Sequence, residues 1–150
     1  MQRSITHQKP IELFAYIVFF VLYSSLSSIY PYLPPMLAVL FILFTRSLAS
    51  DDYISILLVS FCLVMFEANY GYILFSSIIY FYLVYKFILP RLDQNFSCAT
   101  CIKISHVFLA YVGYFLFLSL ISSIFLLSPP EINYYIVYYI VVEFLLVNLL

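Results

Sequence analysis

The sequence predicts an all-α, polytopic membrane protein with six transmembrane helices and with its N-terminus and C-terminus in the cytoplasm. Of its 150 residues, 66% are hydrophobic and 9% are charged, and the mean hydropathy is +1.11. A soluble domain carries about 25% charged residues. Six apolar runs divide the chain, and its cations fall on one side of the bilayer once these runs are treated as spans. We therefore predict one integral membrane domain over residues 1–150.

The six spans follow from run length and from the turn-forming residues between the runs. A helix needs roughly 20 apolar residues to cross the bilayer core. The predicted spans cover residues 11–30, 33–47, 53–66, 71–89, 104–127 and 132–150. The breaks contain Pro31, Pro34 and Pro35, then Ser50, Asp51 and Asp52, then Asn69 and Gly71, then Pro90, and finally Pro129 and Pro130. Spans two and three are short, and the alternative for this pair is a tilted or partly re-entrant hairpin.

The first apolar run is predicted to be a retained helix. It extends from Ile11 to Ile29, which is too long for the apolar core of a signal peptide, and no A-x-A-like cleavage site follows it. Without a cleavable or transit segment, the bacterial inner membrane is the favoured location.

The positive-inside rule sets the orientation. The basic residues are Arg3, Lys9, Arg46, Lys86, Arg91 and Lys103. With six spans and a cytoplasmic N-terminus, all of them lie on the cytoplasmic side, and the opposite side holds only the acids Glu67 and Glu131. Adding or removing one span would mix the cations between the two sides. The charges therefore support the count of six independently of hydropathy.

Glu143 is the one charged residue well inside a predicted span. A central carboxylate costs about 2.5 to 3.5 kcal/mol on insertion scales, which favours a bonded partner or a protonated state. Tyr135, Tyr139 and Glu143 follow at four-residue intervals on one helix face, so a phenol of this face can hydrogen-bond the carboxyl. Two interpretations remain open. Glu143 contacts another subunit or forms a proton site, or it reaches headgroup water near the inner edge.

Two further features are candidates for contact with a partner. Ser24 and Ser28 place small residues four apart in span one, a spacing that lets helix backbones approach closely. Internal packing and docking of a partner subunit both remain open for this pair. Glu67 stands at the C-terminal end of span three, where the helix dipole disfavours an acid, and this suggests a functional role.

The sequence predicts no catalytic, metal or cofactor site. Cys98 and Cys101 form a CATC motif between spans four and five, but a lone CxxC lacks the second ligand pair of a structural zinc site. We expect two reduced loop thiols there. No nucleophile with a nearby base and no nucleotide-binding loop is recognisable. We therefore expect a protein that is not an enzyme.

The segment FEANYGYILFSSIIYFYLVYKFILPRL resembles the middle of the rod-shape-determining MreD family. In that family a third span ends in an acid, a short loop reaches a glycine, and a fourth span runs to a basic cytoplasmic end. Glu67 and Gly71 take the first two positions, and Lys86 and Arg91 form the basic end. The early PYLPPMLAVLFIL is similar to the family's proline-led second span. The chain departs from the family pattern in two ways. It has glutamate instead of aspartate, and only three residues separate this acid from the glycine, where the family has a longer gap.

This resemblance implies a non-catalytic scaffold of the cell-elongation machinery, which determines cell shape and cell-wall organisation. The implied partners are an MreC-like protein and, through it, MreB, RodA and the transpeptidase of peptidoglycan elongation, with membrane lipids around the helices and no nucleic acid. One alternative is the substrate-binding subunit of an energy-coupling-factor transporter, in which Ser24 and Ser28 would dock the coupling subunit. A small membrane protein of another kind is the third possibility.

Overall fold

The described part of the chain is predominantly helical, as the composition predicts. The computed structural model describes residues 8–131 and 133–149, including all side chains except those of residues 8–10 and 13. Arg3, Ile132 and Leu150 lie outside the described residues. Six continuous helices occupy the described ranges. They are α1 (Gln8–Ile29), α2 (Leu37–Ala49), α3 (Tyr53–Tyr70), α4 (residues 76–95), α5 (Ala99–Phe125) and α6 (Tyr135–Leu149).

Two of these helices have the length and composition needed to cross a membrane. They are α3, Tyr53–Tyr70, and α5, Ala99–Phe125. The segments Phe14–Ile29, Leu37–Ala49 and Tyr135–Leu149 are shorter apolar helices. The crossing of the bilayer by all six helices, and the orientation of the bundle, stay predictions.

Helix α2 lies at the centre of the bundle. It packs against α3, α4, α5 and α6, whereas α1 packs against α3. Phe41 and Phe44 of α2 contact Phe81 of α4, with ring centroids 4.8 and 6.2 Å apart. Phe41 and Phe81 are both fully buried. This aromatic contact places α2 and α4 side by side, and Leu37 and Ser76, the first residues of the two helices, are buried.

Helices α2 and α4 begin later than the sequence predicts. The predicted spans start at residues 33 and 71, whereas the helices start at Leu37 and Ser76. A residue with positive φ precedes each helix, Met36 at 55° and Phe75 at 67°. A left-handed residue turns the backbone so that successive N–H groups converge on one spot. Residues 31–36 and 71–75 are therefore turns, which apolar composition alone does not distinguish from helix.

Helices α4 and α5 each contain one turn of π-helix, at Val84–Ile88 and at Leu109–Gly113. The predicted break at Pro90 is wrong, because α4 continues through this residue to Asn95. Proline cannot donate the regular helical hydrogen bond. The π turn immediately before it already changes the hydrogen-bond register, so the missing donor does not end the helix. Since α5 starts at Ala99 instead of residue 104, only residues 96–98 separate the two helices.

Candidate functional site

The first candidate site is the carboxylate of Glu143, which is 0% exposed. Its Oε1 accepts a hydrogen bond from the backbone N–H of Leu37 at 3.0 Å, and its Oε2 accepts one from Ala38 at 2.7 Å. The hydroxyl of Tyr111 donates to Oε1. A side chain of the last helix thus caps the N-terminus of α2, more than 100 residues earlier in the chain.

This cap supplies acceptors that the start of α2 lacks. The first four N–H groups of a helix have no partner within it, and a buried donor without an acceptor costs about 1–3 kcal/mol. Pro34 and Pro35, just before α2, are buried, so this helix begins inside the bundle. The positive end of the helix dipole also favours a carboxylate. Glu143 therefore replaces solvent as the acceptor for α2.

Tyr111, and not a tyrosine of α6, is the phenol bonded to Glu143. Tyr139 donates instead to the carbonyl of Pro31, and Tyr135 packs edge-on against Tyr32 with ring centroids 6.0 Å apart. The expectation that a phenol on the same face bonds the carboxyl is wrong. Helical side chains tilt towards the N-terminus, so Tyr139 reaches away from Glu143. Both tyrosines of α6 hold the 31–36 turn.

The second candidate site is the carboxylate of Glu67, which is also 0% exposed. Its Oε2 accepts from the backbone N–H of Phe75 at 2.6 Å. Its Oε1 accepts from the backbone N–H of Ser77 at 2.6 Å and from the hydroxyl of Ser76 at 2.9 Å. The acid stands at an unfavourable end of α3, but it faces the favourable N-terminus of α4. This arrangement accounts for its position.

Gly71 terminates α3 between these groups. It has a φ of 68°, and its N–H bonds the Glu67 carbonyl. A left-handed glycine is a common residue just after the end of a helix. Gly71 thus turns the chain so that residues 75–77 can return to the Glu67 side chain.

Helix α5 connects the two carboxylate sites. The hydroxyl oxygens of Tyr114 and Ser76 lie 3.0 Å apart. Since Ser76 donates its only hydroxyl hydrogen to Glu67, Tyr114 is the donor in this contact. Tyr111 and Tyr114 are three residues apart, a spacing that places both on one helix face. One face of α5 therefore supplies a phenol to each site.

The π turn of α5 is bonded to Tyr80 of α4. The carbonyl of Leu109 accepts a hydrogen bond from the Tyr80 hydroxyl at 2.8 Å. In a regular α-helix this carbonyl would accept from the N–H of Gly113. A Cβ at position 113 would lie 1.9 Å from the Tyr80 hydroxyl oxygen. Gly113 is therefore required for the close approach of this phenol.

The hydrogen bonding limits what the two acids can do chemically. Each carboxylate receives three donors, and it is the acceptor in every one of these contacts. This pattern fits carboxyl groups that are held in place by hydrogen bonds from backbone N–H groups and hydroxyl groups. Because Glu143 is 0% exposed, the interpretation in which it reaches headgroup water is wrong. The geometry favours fixed anchors between helices.

The two candidate serines of α1 have different surroundings. Ser24 is buried, and its hydroxyl accepts a hydrogen bond from the Asn69 amide at 3.0 Å. Ser28 is exposed and donates to the backbone of its own helix. Ser27, which the sequence did not single out, is buried with its hydroxyl 2.9 Å from that of Tyr70. Ser24 and Ser27 thus attach α1 to α3.

Cys98 and Cys101 lie at the start of α5. Cys98 is exposed, and hydrogen bonding, chiefly with the Cys101 side chain, lowers the pKa of its thiol. His106 lies further along the helix, with Nδ1 2.6 Å from the Ile102 carbonyl oxygen. Within residues 8–131 and 133–149, no group of three His, Cys, Asp or Glu residues is arranged to hold a metal ion.

Comparison with known proteins does not identify a family. The chain matches no protein-family model, no curated protein and no solved structure. Its function is therefore inferred from its own residues.

Sequence reasoning missed Tyr111, Tyr114 and Ser76, which complete the two carboxylate sites. Tyr111 lies 32 residues from Glu143 in the sequence, and Tyr114 lies 38 residues from Ser76. The sequence contains one signal for these contacts. Two tyrosines three residues apart in an apolar helix share a face and bring two polar groups into the interior.

Proposed function

We propose that this protein is a non-catalytic integral membrane scaffold of the bacterial inner membrane, with six spans and both ends in the cytoplasm. It acts through helix–helix contacts with partner membrane proteins. One observation carries the proposal. The buried acids Glu67 and Glu143 bond the starts of α4 and α2, so these interior polar groups maintain the shape of the bundle. A bundle fixed in this way presents a constant outer surface to its partners.

The outer surface supports a membrane environment. Leu57 of α3 is 69% exposed, and Leu120 and Ile124 of α5 are 65% and 76% exposed. Soluble monomers rarely expose contiguous apolar patches larger than a few hundred Å². Lipid chains or the helices of a partner would cover these side chains. In lipid, such association depends on close packing and on interhelical hydrogen bonds.

The assembly that we propose is the cell-elongation machinery, on the basis of the resemblance of residues 66–92 to MreD proteins. Glu67 and Gly71 lie at the turn from α3 to α4, and Lys86 and Arg91 are exposed in the second half of α4. The direct partner would be an MreC-like protein. MreB, RodA and the elongation transpeptidase would be reached through it.

Depletion of the protein in its native bacterium tests this proposal. We expect rods or helical cells to become round, and re-expression of the wild-type chain to restore their shape. A crosslinked membrane pull-down should recover an MreC-like protein with this chain as bait, and not with an unrelated membrane protein of similar size. Normal cell shape after complete loss of the protein would contradict the proposal.

The transporter alternative has less support from the residues that motivated it. That alternative uses Ser24 and Ser28 as a docking face, but Ser24 is buried and bonded to Asn69 of α3. Labelled vitamin uptake that is unchanged by deletion of the gene would exclude it.

A further inference from the structure

A cleft of about 250 Å³ lies between α2, α4 and α5, apart from the two carboxylate sites. It is formed by the second half of α2, the second half of α4 and the first part of α5. These are the helix parts that carry Arg46, Arg91 and Lys103, so in the proposed topology the cleft lies at the cytoplasmic side. The function proposed above does not use it.

The lining of the cleft changes from apolar to charged. Leu89 is buried and Ile42 is half-buried, whereas Arg46 and Asp93 are exposed. One cation and one anion therefore lie beside an apolar surface. A ligand with two opposite charges and an attached apolar part would match this order.

The helix dipole stabilises one of these two charges and destabilises the other. Arg46 lies in the last turn of α2, where the helix dipole stabilises a cation. Asp93 lies two residues before the end of α4, where the same effect disfavours an acid. A cationic group in the cleft would offset this unfavourable position.

Polar groups line the cleft between the two charges. His106 has Nδ1 within 2.6 Å of the Ile102 carbonyl oxygen, so Nδ1 carries a hydrogen and Nε2 is the nitrogen available to a ligand. Tyr85 also lines the cleft and contributes a hydroxyl group, whereas the Thr45 hydroxyl in the lining donates to the Ile42 carbonyl of its own helix. The Tyr85 hydroxyl can donate to an oxygen of a phosphate ester, and Nε2, which is an acceptor in the neutral ring, can accept from an ammonium N–H.

We propose that the cleft binds the headgroup of a zwitterionic phospholipid with a primary ammonium, of the phosphoethanolamine type. Arg46 binds the phosphate through its planar guanidinium, which matches phosphate oxygens. Asp93 accepts hydrogen bonds from the ammonium. The volume is below the roughly 300–1,000 Å³ of sites that enclose whole drug-sized ligands, so the acyl chains would remain in the bilayer. The proposal rests on the membrane placement proposed above and not on the role in cell shape.

The charge pattern favours this headgroup over two common alternatives. A headgroup with a net negative charge, such as phosphoglycerol, would place no cation on Asp93. A quaternary choline carries no N–H to donate to the Asp93 carboxylate. Discrimination between headgroups is therefore expected to depend on Asp93, and affinity for the phosphate on Arg46.

Native mass spectrometry of the full chain in detergent tests the proposal. Phosphatidylethanolamine, phosphatidylglycerol and phosphatidylcholine with identical acyl chains are supplied in equal amounts. We expect preferential retention of phosphatidylethanolamine. Arg46→Gln should lower this retention roughly tenfold, as expected for hydrogen bonds to a charged group. Asp93→Asn should lower the preference over phosphatidylglycerol roughly two- to fivefold, the range of an exposed ion pair. Soluble phosphoethanolamine should compete only weakly.

Arg91→Gln is the matched control, because Arg91 is an exposed cation near the same end of α4 that does not line the cleft. Its retention profile should equal that of the wild type. Circular dichroism verifies that each variant keeps its helix content. Equal retention of the three lipids by the wild type, or an unchanged preference in Asp93→Asn, would overturn the proposal. Full competition by soluble phosphoethanolamine would overturn the lipid as the ligand source. None of these outcomes bears on cell shape after depletion.

Discussion

The Glu143 carboxyl accepts three buried hydrogen bonds, and a glutamine side chain at this position cannot accept all three. In Glu143→Gln, one oxygen is replaced by an amide NH₂, which is itself a donor facing donors. We expect the free energy of unfolding to fall by about 2–4 kcal/mol, because buried donors lose their partner. Reversible unfolding in mixed micelles measures this loss. The exposed acid Glu131 provides the control, and Glu131→Gln should change stability by less than about 0.5 kcal/mol.

Tyr111 and Tyr139 form a matched pair of tyrosines that tests which phenol bonds Glu143. Tyr111→Phe removes a donor to Glu143, whereas Tyr139→Phe removes a donor to the Pro31 carbonyl. In a double-mutant cycle with Glu143→Gln, only Tyr111→Phe should be non-additive, by about 0.5–3 kcal/mol. Equal coupling of both tyrosines to Glu143 would contradict the assigned hydrogen bonds.

At the scale of helices, the two carboxylates should protect two different helix starts. Glu67 accepts from the amides of Phe75 and Ser77, and Glu143 from those of Leu37 and Ala38. In Glu67→Gln we expect hydrogen exchange to accelerate roughly tenfold at residues 75 and 77, since a glutamine side chain has one acceptor oxygen in place of the two that these amides use. Residues 37 and 38 should keep their wild-type rates.

Glu143→Gln is the reciprocal control for this exchange experiment. It should accelerate residues 37 and 38 and leave residues 75 and 77 unchanged. The use of one variant as the control for the other separates local capping from a general loss of stability. Acceleration at all four amides in both variants would mean that the carboxylates do not act as separate caps.

The π turn of α5 has no space for a side chain at position 113. A Cβ at position 113 would clash with the Tyr80 hydroxyl oxygen at 1.9 Å, but it would lie 3.1 Å from the ring carbon that bears the hydroxyl. Gly113→Ala should therefore lower the free energy of unfolding by about 1–3 kcal/mol, the usual cost of overpacking. In a Tyr80→Phe background the same change should cost less, because the clashing atom is absent. Strictly additive losses in unfolding experiments would refute this account.

For the whole molecule, the number of helices in the described ranges and most of their interruptions could be predicted from the sequence. The length of an apolar run and the turn residues that end it are local properties, and the breaks at Pro31 and Pro129 are read directly from the chain. The starts of α2 and α4 differ from the predicted ones because they depend on hydrogen-bond acceptors from α6 and α3. The Glu143 site needed Tyr111, which no local pattern connects to it. Contacts over such separations are outside the reach of span prediction.

The native cysteines test the proposed topology of the whole bundle. Cys98 is exposed, and its lowered pKa favours the thiolate that reacts with maleimides, whereas Cys62 is buried. In the proposed topology Cys98 faces the cytoplasm. We expect a membrane-impermeant maleimide to label it in inside-out vesicles and not in intact spheroplasts. Cys101→Ser in the same chain assigns the label to Cys98.

Pro129→Cys supplies the opposite control, because this exposed position lies between α5 and α6 on the side proposed to face the periplasm. In a Cys98→Ser, Cys101→Ser background, it should be labelled in intact spheroplasts and protected in inside-out vesicles. An odd number of crossings separates positions 98 and 129 if α5 spans the bilayer, so the two labels must exchange sides. Labelling of Cys98 from outside would reverse the orientation, and labelling of both positions from one side would remove α5 as a span.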